Sequence, residues 1–476
     1  MGLAEPGQCL EREPGAIRAR LASEEDGGVS GADIANGAVV IAAGAFGEAV
    51  AGSEFRLGAV LGEESFGSEA AGGDASPAGG LQTALVGTSL AAALEDSGLC
   101  VVLAEAAGSA ASPSPESFDE RNLALARASL DALDRLGVMA HVRRAPQPLR
   151  HIHVSRVGDF GSVRIRAADH GVDALGGVIL ASDLGAALAA RLADLRATRH
   201  CAGARVVDCV ARDDAWRVTL ERDDGAETIE CRLLVGADGT RSGVRTALGV
   251  GVREHDYEQD LFVCAVESEH APAGQAWERF SSAGPVALLP RNDGRFGAVC
   301  GVSRSDADAI GQLDDHGYLA FLQRRFGYRA GRFERVGRRV RYPIRAVIAD
   351  RLAGVRGVLV GNAAQTIHPI GAQGFNLGLR DALGLADALR GAEDAGDAVR
   401  LQRYAAARAE DRRRTIELSD GLARLTAVEG PAAHLMRSLG LLGIGHLPGM
   451  RGPLVAGAMG YRGAPGEAGV NGATVR

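Results

Sequence analysis

A strand that runs directly into a glycine-rich loop and then into a helix is the feature that most constrains how this chain can fold. The run GVLVG (357–361) is apolar and predicts a buried strand, and a helical pattern begins near Asn376. The connecting segment, GNAAQTIHPIGAQGFNLGLRDA (361–382), contains four glycines, one proline and no carboxylate or guanidinium group before Arg380. Glycines in such a loop let a ligand approach the backbone, and the positive end of the following helix points at that ligand.

Two more segments of this kind indicate a parallel sheet. LCVVLAEA (99–106) is continuously apolar, as strands are when a parallel sheet buries both of their faces. It follows ALVGTSLAAALEDSG (84–98), whose spacing predicts a helix, and RLLVGADG (232–239) is a later strand that ends in a glycine turn. Further helices are predicted over 119–138, 182–195, 316–326 and 376–390, and strands over 150–180, 204–239 and most of 252–345.

The segment around Gly87 contains half of a dinucleotide-binding motif. In that motif a glycine lets the backbone approach a pyrophosphate, and an acid after the second strand, here Glu105, holds a ribose hydroxyl. The two leading glycines of the motif are replaced by Gln82 and Ala84, and no strand stands just before them. An ordinary helix–strand pair is an equally good interpretation of this segment alone.

Two other loops carry stronger signals. GADGTRSGVR (236–245) follows a buried strand, and its Asp238 is placed to orient a bound nucleotide. The opening loop is the strongest signal, because a reduced flavin ring is planar and anionic. Such a ring needs backbone N–H donors at one edge and no bulky side chains, and Gly371 and Gly374 meet both needs.

These motifs together resemble one family. The chain resembles the flavoprotein monooxygenases of the p-hydroxybenzoate hydroxylase type, and within them the ubiquinone-biosynthesis branch, especially the hydroxylases of 2-polyprenyl-6-methoxyphenol. The similarity covers about residues 85–460. The residues that carry it are DERNLAL (119–125), GADGTRS (236–242), WERFSSAGPVALLPRNDGR (277–295), RYPI (341–344) and GNAAQTIHPIGAQGFNLGLRD (361–381).

The resemblance implies an FAD site. Away from the ring, it assigns Gly87 and Glu105 to the adenosine diphosphate part of FAD and Arg121 to a second FAD contact. It assigns Asp238 to the family's Asp-Gly element, and Gly361 and Asn362 to the ribityl chain.

Around the isoalloxazine ring, the resemblance implies a cradle that runs from Pro369 to Asn376. The cradle residues that it names are Pro369, Gly371, Gln373, Gly374 and Asn376. The order Gly371-Ala372 is inverted relative to the usual Ala-Gly of this branch. No catalytic nucleophile is required; His368 and Pro369 lie near the flavin, and for His368 a bracing role is as good an interpretation as an acid–base role.

The resemblance also implies a reaction. An NAD(P)H donor reduces FAD, and oxygen then hydroxylates the electron-rich ring of a polyprenyl-methoxyphenol intermediate of ubiquinone biosynthesis. A sister hydroxylase acting at another ring position is the near alternative, since the same motifs serve both. A catalytically dead scaffold of the biosynthetic complex is an alternative of another class, based on the broken first glycine motif. A flavin reductase without oxygen insertion is less favoured.

The fold that follows is α/β, with a Rossmann-like FAD-binding domain, an interleaved β-rich substrate domain and a C-terminal helical region. We expect the FAD-binding domain to be discontinuous. The expected divisions are an acidic segment at 1–80, the FAD-binding domain at 81–150, 178–250 and 346–395, the substrate domain at 151–177 and 251–345, and the helical region at 396–476.

Residues 1–80 depart from this plan. They hold 13 acidic and 4 basic residues in a chain of 476 residues with net charge −8, and composition predicts poor order for most of the segment. Either VVIAAGAFG (39–47) supplies the missing first strand, with an insertion behind it, or the segment is a misread frame joined near Gly79-Gly80. The abrupt return to family-like sequence at Leu85 and the concentrated acidity favour the misread frame.

Composition excludes several other classes. No apolar run reaches about 18 residues, the N-terminus has no signal-peptide pattern, and no basic stripe suggests nucleic acid. The seven cysteines form no CxxC motif and no Cys/His cluster, so no metal site is predicted. We expect a cytoplasmic protein that meets other ubiquinone-biosynthesis proteins and touches the inner face of the membrane. Residues 435–450 are the candidate membrane contact, and a buried core helix is an equally good interpretation of them.

Overall fold

The computed structural model of the chain describes residues 38–43, 78–106, 121–428, 430–446 and 459–460. The strands, numbered in chain order, are β1 (Ala38–Ala43), β2 (Cys100–Glu105), β3 (Asn122–Ala126), β4 (Gln147–Leu149), β5 (His151–Arg156), β6 (Ser162–Arg166), β7 (Gly176–Leu180), β8 (Thr198–Ala202), β9 (Arg205–Ala211), β10 (Trp216–Arg222), β11 (Gly225–Cys231), β12 (Leu233–Ala237), β13 (Val252–Ser268), β14 (Gln275–Phe280), β15 (Val286–Pro290), β16 (Phe296–Ser303), β17 (Phe333–Val336), β18 (Val340–Ala349), β19 (Ala353–Gly354), β20 (Gly357–Leu359) and β21 (Gln365–Thr366). The α-helices are α1 (Ala78–Ala93), α2 (Arg127–Arg135), α3 (Ala181–Ala193), α4 (Gly243–Ala247), α5 (Arg304–Gly311), α6 (Asp315–Phe326), α7 (Gln373–Leu389), α8 (Ala398–Ala427) and α9 (Pro431–His446).

A six-stranded sheet forms the first layer of the fold and has β1 near its centre. Its strand order is β19-β20-β12-β1-β2-β8, and every neighbouring pair from β20 to β8 is parallel. Helix α1 contacts β1 and also contacts helices α3 and α7. This is the arrangement of strands and helices that the βα pattern of the sequence predicts, and it brings the carboxyl ends of the strands to one edge.

The strand Ala38–Ala43 lies inside the segment for which the sequence predicts poor order or a misread frame. For these residues the prediction of poor order is wrong. Val39, Val40 and Ile41 have no accessible surface, because β2 and β12 flank the strand on its two edges. A continuous apolar run suits such a position. The other hypothesis, a first strand supplied by 39–47, is correct for 39–43, and its glycines at 44 and 47 lie outside the described residues.

A nine-stranded sheet forms the second large unit. Its order is β21-β18-β13-β16-β15-β14-β5-β6, with β17 paired to β13 beside this path. On its outer face, helices α5 and α6 pack in a cluster that contains Tyr318 and Phe326. On its inner face, Ala276 packs with Leu149 and Val178 of the small sheet β3-β7-β4. Most of its strands come from 151–177 and 251–345, which we propose as the substrate domain.

The prediction of a single helix over 119–138 is wrong for the first half of that stretch. Asn122–Ala126 is the strand β3, paired antiparallel with β7, and helix α2 occupies only Arg127–Arg135. Within NLALA, Leu123 and Leu125 are buried and alternate with half-buried residues. That period of two outweighed the helical pattern because β7 offers a partner strand.

The other elements largely follow the sequence pattern. The helices predicted at 182–195, 316–326 and 376–390 correspond to α3, α6 and α7. Helix α5 was not predicted, because in RSDADAIG only Ala307 and Ile310 are buried and the apolar signal is weak. The predicted C-terminal helical region contains α8 and α9, which confirms this part of the fold class.

Candidate functional site

The carboxyl ends of four parallel strands meet at one edge of the six-stranded sheet. Ala43, the last residue of β1, is in register with Glu105 of β2 and with Ala237 of β12. Asp238 follows Ala237 directly, and β20, which pairs with β12, leads towards Gly361. The structure therefore brings three of the residues predicted for a nucleotide cofactor around the end of the central strand. This is the edge at which open α/β sheets bind ligands.

Gly87 lets helix α1 lie directly against the central strand. A Cβ atom on Gly87 would lie 3.0 Å from the Cβ of Ala43 and 3.5 Å from that of Ala237. Close helix–strand packing is the role of the last glycine in a dinucleotide-binding turn. Gln82 and Ala84, where the other two glycines were sought, both lie inside α1. The turn that follows β1 therefore precedes Ala78, and positions 82 and 84 are not its glycine positions.

Glu105 ends strand β2 beside a histidine that the sequence analysis did not single out. The Nε2 atom of His200, on the neighbouring strand β8, lies 3.0 Å from Oε2 of Glu105. The Glu105 side chain is about one-fifth exposed. His200 therefore fixes one carboxylate oxygen at the sheet edge, and the contact of Glu105 with a ribose stays a prediction. A histidine in alternate register on an edge strand is a weak sequence signal, which is why it was missed.

Asp238 folds the loop that follows β12. Its buried carboxylate accepts hydrogen bonds from Ser242 Oγ at 2.5 Å and from the Val244 amide at 3.0 Å. Burial raises the pKa of Asp238 to about 6, against the effect of these donors. Arg245, in the same loop, donates to the carbonyl oxygen of Ala363 at 3.0 Å. Asp238 is thus a brace in this structure, and its contact with a cofactor stays a prediction.

Gly361 lies beside the close contact between helices α7 and α1. Its φ is +60°, and a Cβ atom there would lie 3.1 Å from Val86. A Cβ atom on Gly378 of α7 would lie 2.8 Å from Val86 and 3.1 Å from the Cα of Gly361. Asn362 occupies the short turn that follows, and its carbonyl oxygen accepts from Thr366 Oγ1 at 3.4 Å. These glycines set the spacing between the two helices that border the sheet edge.

A buried carboxylate anchors the same turn to the C-terminal helices. Asp381 is fully buried and accepts hydrogen bonds from Gln365 Nε2 at 2.6 Å and Arg408 Nε at 2.9 Å. The amide of Gly361 donates to Oδ2 of Asp381 at 3.4 Å, the same oxygen that accepts from Gln365. Arg408 also donates to Asp411, so α7 and α8 are joined by an ion-pair network rather than by apolar packing alone.

The ring loop, residues 369–374, turns sharply before helix α7. Gly371 has a φ of +71° and Ala372 a φ of +51°, so two successive residues adopt the left-handed conformation. Gln373 closes this turn, because its Nε2 donates to the Gly371 carbonyl oxygen at 3.0 Å. Pro369 and Gly371 are exposed, whereas Ile370 between them is buried. The loop therefore presents its backbone at the surface of the site.

Helix α7 begins at Gln373 with its first amides uncapped. No side chain caps its N-terminus, and its first turn contains no acid. The first amides of an α-helix have no partner within the helix, so these donors are available to a ligand. A Cβ atom on Gly374 would meet nothing within 4 Å, which shows that the space beside these amides is open. Such a terminus favours negative charge on a bound group.

Asn376 holds the ring loop onto strand β3. Its Oδ1 accepts from the Ala126 amide at 2.9 Å and from Ser129 Oγ at 2.7 Å. Its Nδ2 donates to the carbonyl oxygens of Ala124 at 2.9 Å and Ala372 at 2.8 Å. All of the amide's hydrogen bonds are therefore made within the protein. This geometry makes the side chain a brace of the cradle, and direct contact with the ring stays a prediction.

His368 lies behind the ring loop and is buried. Its Nδ1 accepts from the Ile370 amide at 3.3 Å, and its carbonyl oxygen accepts from Ser419 Oγ at 2.8 Å. The ring of Tyr257 meets it edge-on, with 4.7 Å between the centroids. Burial lowers the pKa of His368 to about 4, so the imidazole is neutral near pH 7. Of the two roles that the sequence leaves open, these contacts favour bracing.

Arg121 and its neighbour connect the two domains beside the ring loop. The guanidinium carbon of Arg121 lies 5.8 Å from the centroid of the Tyr342 ring, on β18 of the large sheet. The next side chain, Asn122, fills the space above Gly297, where a Cβ atom would lie 1.7 Å from Asn122 Nδ2. The domains meet here without room for a side chain at position 297. The role of Arg121 as an FAD contact stays a prediction.

The sequence analysis missed one further residue at this junction. Glu278, on β14 of the large sheet, accepts a hydrogen bond from the backbone amide of Gly371 in the ring loop. Burial raises the pKa of this carboxyl to about 7. The signal was present, because Glu278 lies on the same face of the strand as the buried residues Ala276 and Phe280. An acid at an inward position of a buried strand calls for a chemical explanation.

The residues present fit an FAD molecule. The N-terminus of α7 offers uncapped amides beside a loop, 369–374, that carries no charged side chain. Gly87 provides the close helix–strand contact, and Glu105 provides a partly exposed carboxylate at the same sheet edge. Together these features suit a group with an anionic ring edge at one end and ribose hydroxyls at the other.

Comparison with known sequences shows which family combines these features. The family described as FAD binding domain matches residues 83–419. Ubiquinone hydroxylase UbiL of Rhodospirillum rubrum is 35% identical over 369 residues, which are 75% of this chain and 83% of that protein. The chain belongs to the FAD-dependent hydroxylases of ubiquinone biosynthesis. The 3-demethoxyubiquinol 3-hydroxylase of Escherichia coli is 30% identical over 316 residues, 66% of this chain and 79% of that protein.

Solved structures agree on the fold of this hydroxylase family member. p-Nitrophenol 4-monooxygenase PnpA of Pseudomonas putida superposes with a TM-score of 0.67, at 17% identity, over 90% of this chain and 99% of that one. A variant of HpxO from Klebsiella pneumoniae, complexed with FAD, gives a TM-score of 0.63 at 19% identity, over 89% of this chain and 98% of that one. At these identities the likeness concerns the fold.

Family membership defines the type of enzyme. The chain is an FAD-dependent aromatic-ring monooxygenase, an oxidoreductase for which NAD(P)H is the donor typical of the family. The alternative of a catalytically dead scaffold was based on the broken first glycine motif. Ala38–Ala43 forms the first strand, Gln82 and Ala84 lie inside α1, and the similarity to hydroxylases gives this alternative no support.

Proposed function

We propose that the chain hydroxylates the ring of a polyprenyl-methoxyphenol intermediate of ubiquinone biosynthesis. The similarity to UbiL over 83% of that protein supports the pathway. The observation that carries the substrate class is the position of Glu278. It puts one carboxylate, in an otherwise apolar neighbourhood of Ala276, Val154 and Ala287, beside the ring loop. An apolar surface with one hydrogen-bond acceptor suits a lipid-tailed phenol.

The chemistry is a balanced monooxygenation. The phenol, O2, NAD(P)H and one proton give the ring-hydroxylated product, NAD(P)⁺ and water. When bound, FAD supplies the two-electron transfer from the donor and the activation of oxygen. We propose that Glu105 and Gly87 hold its adenosine end and that the amides of α7 hold the ring edge. The chain's own task is to orient the phenol on the inner face and to keep water away from it.

The test uses a short-tailed probe. The purified chain with FAD, NAD(P)H and heavy-isotope-labelled O2 is incubated with 2-allyl-6-methoxyphenol, and the masses of the products are measured by mass spectrometry. We expect one labelled oxygen in the ring and NAD(P)H consumed in step with product. The matched control is the same compound with its hydroxyl methylated. NAD(P)H consumption without ring oxygenation would contradict the proposal and would indicate a flavin reductase.

The ring position is a separate part of this proposal. Among its relatives, the Escherichia coli protein is named for hydroxylation of a demethoxyubiquinol, at 30% identity. We propose the polyprenyl-methoxyphenol first because the quoted motifs resemble that branch most. Magnetic resonance of the product assigns the position of the new hydroxyl. A new hydroxyl at another carbon of the ring would make the chain a sister hydroxylase of the same pathway.

We also propose a membrane contact, through what we call the terminal apolar surface. It consists of exposed side chains at the end of α8, on α9 and at the β5–β6 turn, namely Leu425, Val428, Leu435, Met436, Leu439 and Phe160. The Phe160 amide donates to Ser438 Oγ at 3.2 Å, and Arg437 donates to the carbonyl oxygens of Leu425 and Val428. These contacts make the surface continuous.

Charge favours an anionic lipid surface as the occupant. The sequence from 430 to 465 contains three arginines and no acid, in a chain of net charge −8. Arg437 is buried and paired with Asp159, so Arg451 and Arg462 are the cations that we assign to the lipid. Apolar side chains flanked by cations bind the headgroup region of anionic bilayers. None of the helices in the described ranges is long and apolar enough to cross a membrane. We propose a peripheral contact with the inner face of the membrane. There the enzyme would meet a substrate that carries a polyprenyl tail.

Vesicle flotation tests the membrane contact. We expect the chain to float with vesicles of phosphatidylglycerol and phosphatidylcholine, and less with phosphatidylcholine alone. Serine at positions 435, 436 and 439 together should reduce flotation by at least about 10-fold, because each substitution removes apolar surface that the lipid would bury. The matched control places serine at three exposed valines elsewhere, Val207, Val355 and Val399. If the chain floats with neither vesicle type, the membrane contact is wrong. The surface would then be a candidate for binding other ubiquinone-biosynthesis proteins.

A further inference from the structure

Strand β14 presents alternate side chains to two different environments. Trp277 points to the outer layer, where its ring meets Phe326 at 5.9 Å between centroids. Ala276 points inward and packs with Leu149 and Val178 of the small sheet. Glu278 is two residues beyond Ala276, so its side chain leaves the strand on the inner face. The inner face is the one that looks towards the FAD-binding domain.

Glu278 reaches the ring loop itself. Its carboxylate accepts the amide hydrogen of Gly371, the first left-handed residue of the loop. Glu278 is half-buried. It therefore lies at the junction between the inner face of the large sheet and the loop that borders the proposed ring site.

The charges around Glu278 do not neutralise it. Across the described part of the chain, Glu278 forms no ion pair. Arg156, on the inner face of β5, is held by Asp159 at 3.6 Å, and Arg279 leaves β14 on the opposite face. His368, behind the ring loop, has its pKa lowered to about 4 by burial and is neutral. Arg121, which directly precedes strand β3, faces the Tyr342 ring.

A carboxylate in this position has acceptor capacity to spare. An ionised carboxylate offers about four lone-pair sites, and the Gly371 amide uses one of them. Burying such a group without a cation is unfavourable, and here burial raises the pKa of Glu278 to about 7. A carboxyl with a pKa near the working pH is suited to exchange a proton. A structural role alone would be served as well by a glutamine.

We propose that Glu278 is a catalytic residue that accepts the proton of the substrate's phenolic hydroxyl. This inference rests on the proposed function, since it requires a phenol at the junction of the inner face and the ring loop. The proton moves from the phenol oxygen to the Glu278 carboxylate, which leaves the ring richer in electrons as its carbon–oxygen bond forms. The ring then loses the hydrogen of that carbon as a proton, and Glu278 returns its own proton to the original phenol oxygen. NAD(P)H supplies the two electrons, and the second oxygen atom of O2 leaves as water.

Glu278→Gln separates this role from bracing. A glutamine keeps an oxygen to accept the Gly371 amide hydrogen but cannot take a proton. A brace predicts that the variant behaves like the wild type. The proposal predicts that kcat for 2-allyl-6-methoxyphenol falls at least about 100-fold, the usual range for a lost general base. The FAD content of the purified variant should not change. Glu334→Gln, the same substitution at an exposed glutamate of β17, is the matched control.

Binding provides a readout that does not depend on turnover. The dissociation constant of 2-allyl-6-methoxyphenol for the FAD-loaded protein is measured from about pH 5.5 to about pH 8.5, which brackets a pKa of about 7. We expect the wild type and Glu334→Gln to bind more tightly as Glu278 ionises, with about a 10-fold step, because a carboxylate is the better acceptor for a phenol. Glu278→Gln should show no step.

The outcomes separate the two proposals. A Glu278→Gln variant with kcat within about 3-fold of the wild type and an unchanged binding step would overturn the role of Glu278. If the wild type binds the phenol with the expected step but forms no hydroxylated product, the proposed function fails while the acceptor role is upheld. If the phenol does not bind to the wild type at any pH, both proposals are wrong.

Discussion

Gly87 of helix α1 and Ala43 of strand β1 approach so closely that a Cβ atom on residue 87 would lie 3.0 Å from the Cβ of Ala43. The two residues are separated by a stretch in which the structure describes only Ala78 onwards. Their contact nevertheless puts α1 on the central strand as a dinucleotide-binding unit requires. The first strand and the helix that belongs with it are therefore identified by packing rather than by a continuous motif.

Gly87→Val should disrupt this contact. Its side chain has no room between Ala43 and Ala237, so we expect a loss of about 1–3 kcal/mol in the free energy of unfolding and weaker FAD retention. Gly421→Val is the matched control, because a Cβ atom on this helical glycine of α8 meets nothing within 4 Å. Urea unfolding monitored by circular dichroism compares the two. Equal stability of both variants would contradict the packing.

Gly371→Ala should strain the ring loop. The φ of +71° at this residue disfavours any side chain, and Ala372 already occupies a left-handed conformation. We expect a loss of about 1–2 kcal/mol and a higher dissociation constant for FAD. Gly374→Ala, three residues on in the helical conformation, is the control for stability alone, because its Cβ would enter the proposed ring site. It should leave the free energy of unfolding of the FAD-free protein unchanged or raise it by about 0.5 kcal/mol. If Gly371→Ala were equally neutral, the left-handed turn would be wrong.

Asn376→Asp should loosen the cradle from β3. The substitution keeps the shape but replaces two donors with acceptors that face the carbonyl oxygens of Ala124 and Ala372. We expect destabilisation by about 2–4 kcal/mol and loss of bound FAD, because buried polar groups are left unmatched. The control is Asn292→Asp, where the amide is exposed. Thermal unfolding with and without added FAD measures both variants, and a stable FAD-binding Asn376→Asp protein would refute the bracing role.

Ionisation of Glu278 should lower the free energy of unfolding of the FAD-free protein as the pH rises. Its pKa is raised from 4.5 to about 7, so the folded state holds the proton more tightly than the unfolded state. Stability therefore falls between about pH 4.5 and about pH 7 and is not regained above. Relative to the wild type, Glu278→Gln should gain about 2–3 kcal/mol between pH 5 and pH 8. Urea unfolding of the wild type and Glu278→Gln at pH 5 and pH 8 measures this difference. If the free energy of unfolding changes equally in both proteins, the raised pKa of a buried Glu278 is wrong.

Asp159→Asn should release helix α9 from the large sheet. The Asp159 side chain is fully buried and contacts His434 Nδ1 at 2.5 Å and Arg437 Nε at 3.1 Å. Burial opposes its ionisation, but these hydrogen bonds outweigh burial and lower the pKa of Asp159. Its contribution is therefore present at neutral pH and lost as pH falls through that lowered value.

The measurement for this helix is hydrogen exchange. Removing the charge leaves Arg156 and Arg437 buried without their counterion, so we expect α9 to open more easily by about 3–5 kcal/mol. Asp173→Asn, at an exposed aspartate, is the control. Unchanged protection of the α9 amides in Asp159→Asn would show that apolar packing alone holds the helix.

Local patterns predicted those parts of the fold whose signals are local. The strand Gly357–Leu359 and the helix after it follow from an apolar run and a 3.6-residue period, and the glycines of the ring loop follow from ligand access. Strand β1 could not be placed in this way. Val39 to Ala43 becomes a central strand because β2 and β12 flank it, and these partners lie far away in sequence.

The site shows the same division between local and long-range signals. Gly87, Glu105, Asp238 and Gly361 were predicted from motifs, and the structure brings them to one sheet edge. Glu278 was missed although it lies inside a quoted motif. Its meaning depends on the amide of Gly371, which is 93 positions away in the chain. Contacts between domains, like this one, leave no periodic pattern in a single sequence.

The visible absorption spectrum of the purified full-length chain tests the central claim most directly. That claim is that the sheet edge around Ala43, Glu105, Asp238 and the ring loop forms a working FAD site. We predict a flavin spectrum with FAD in stoichiometric amount, and its loss in Gly87→Val. A folded chain that is colourless, and that stays so after incubation with FAD, would contradict the account.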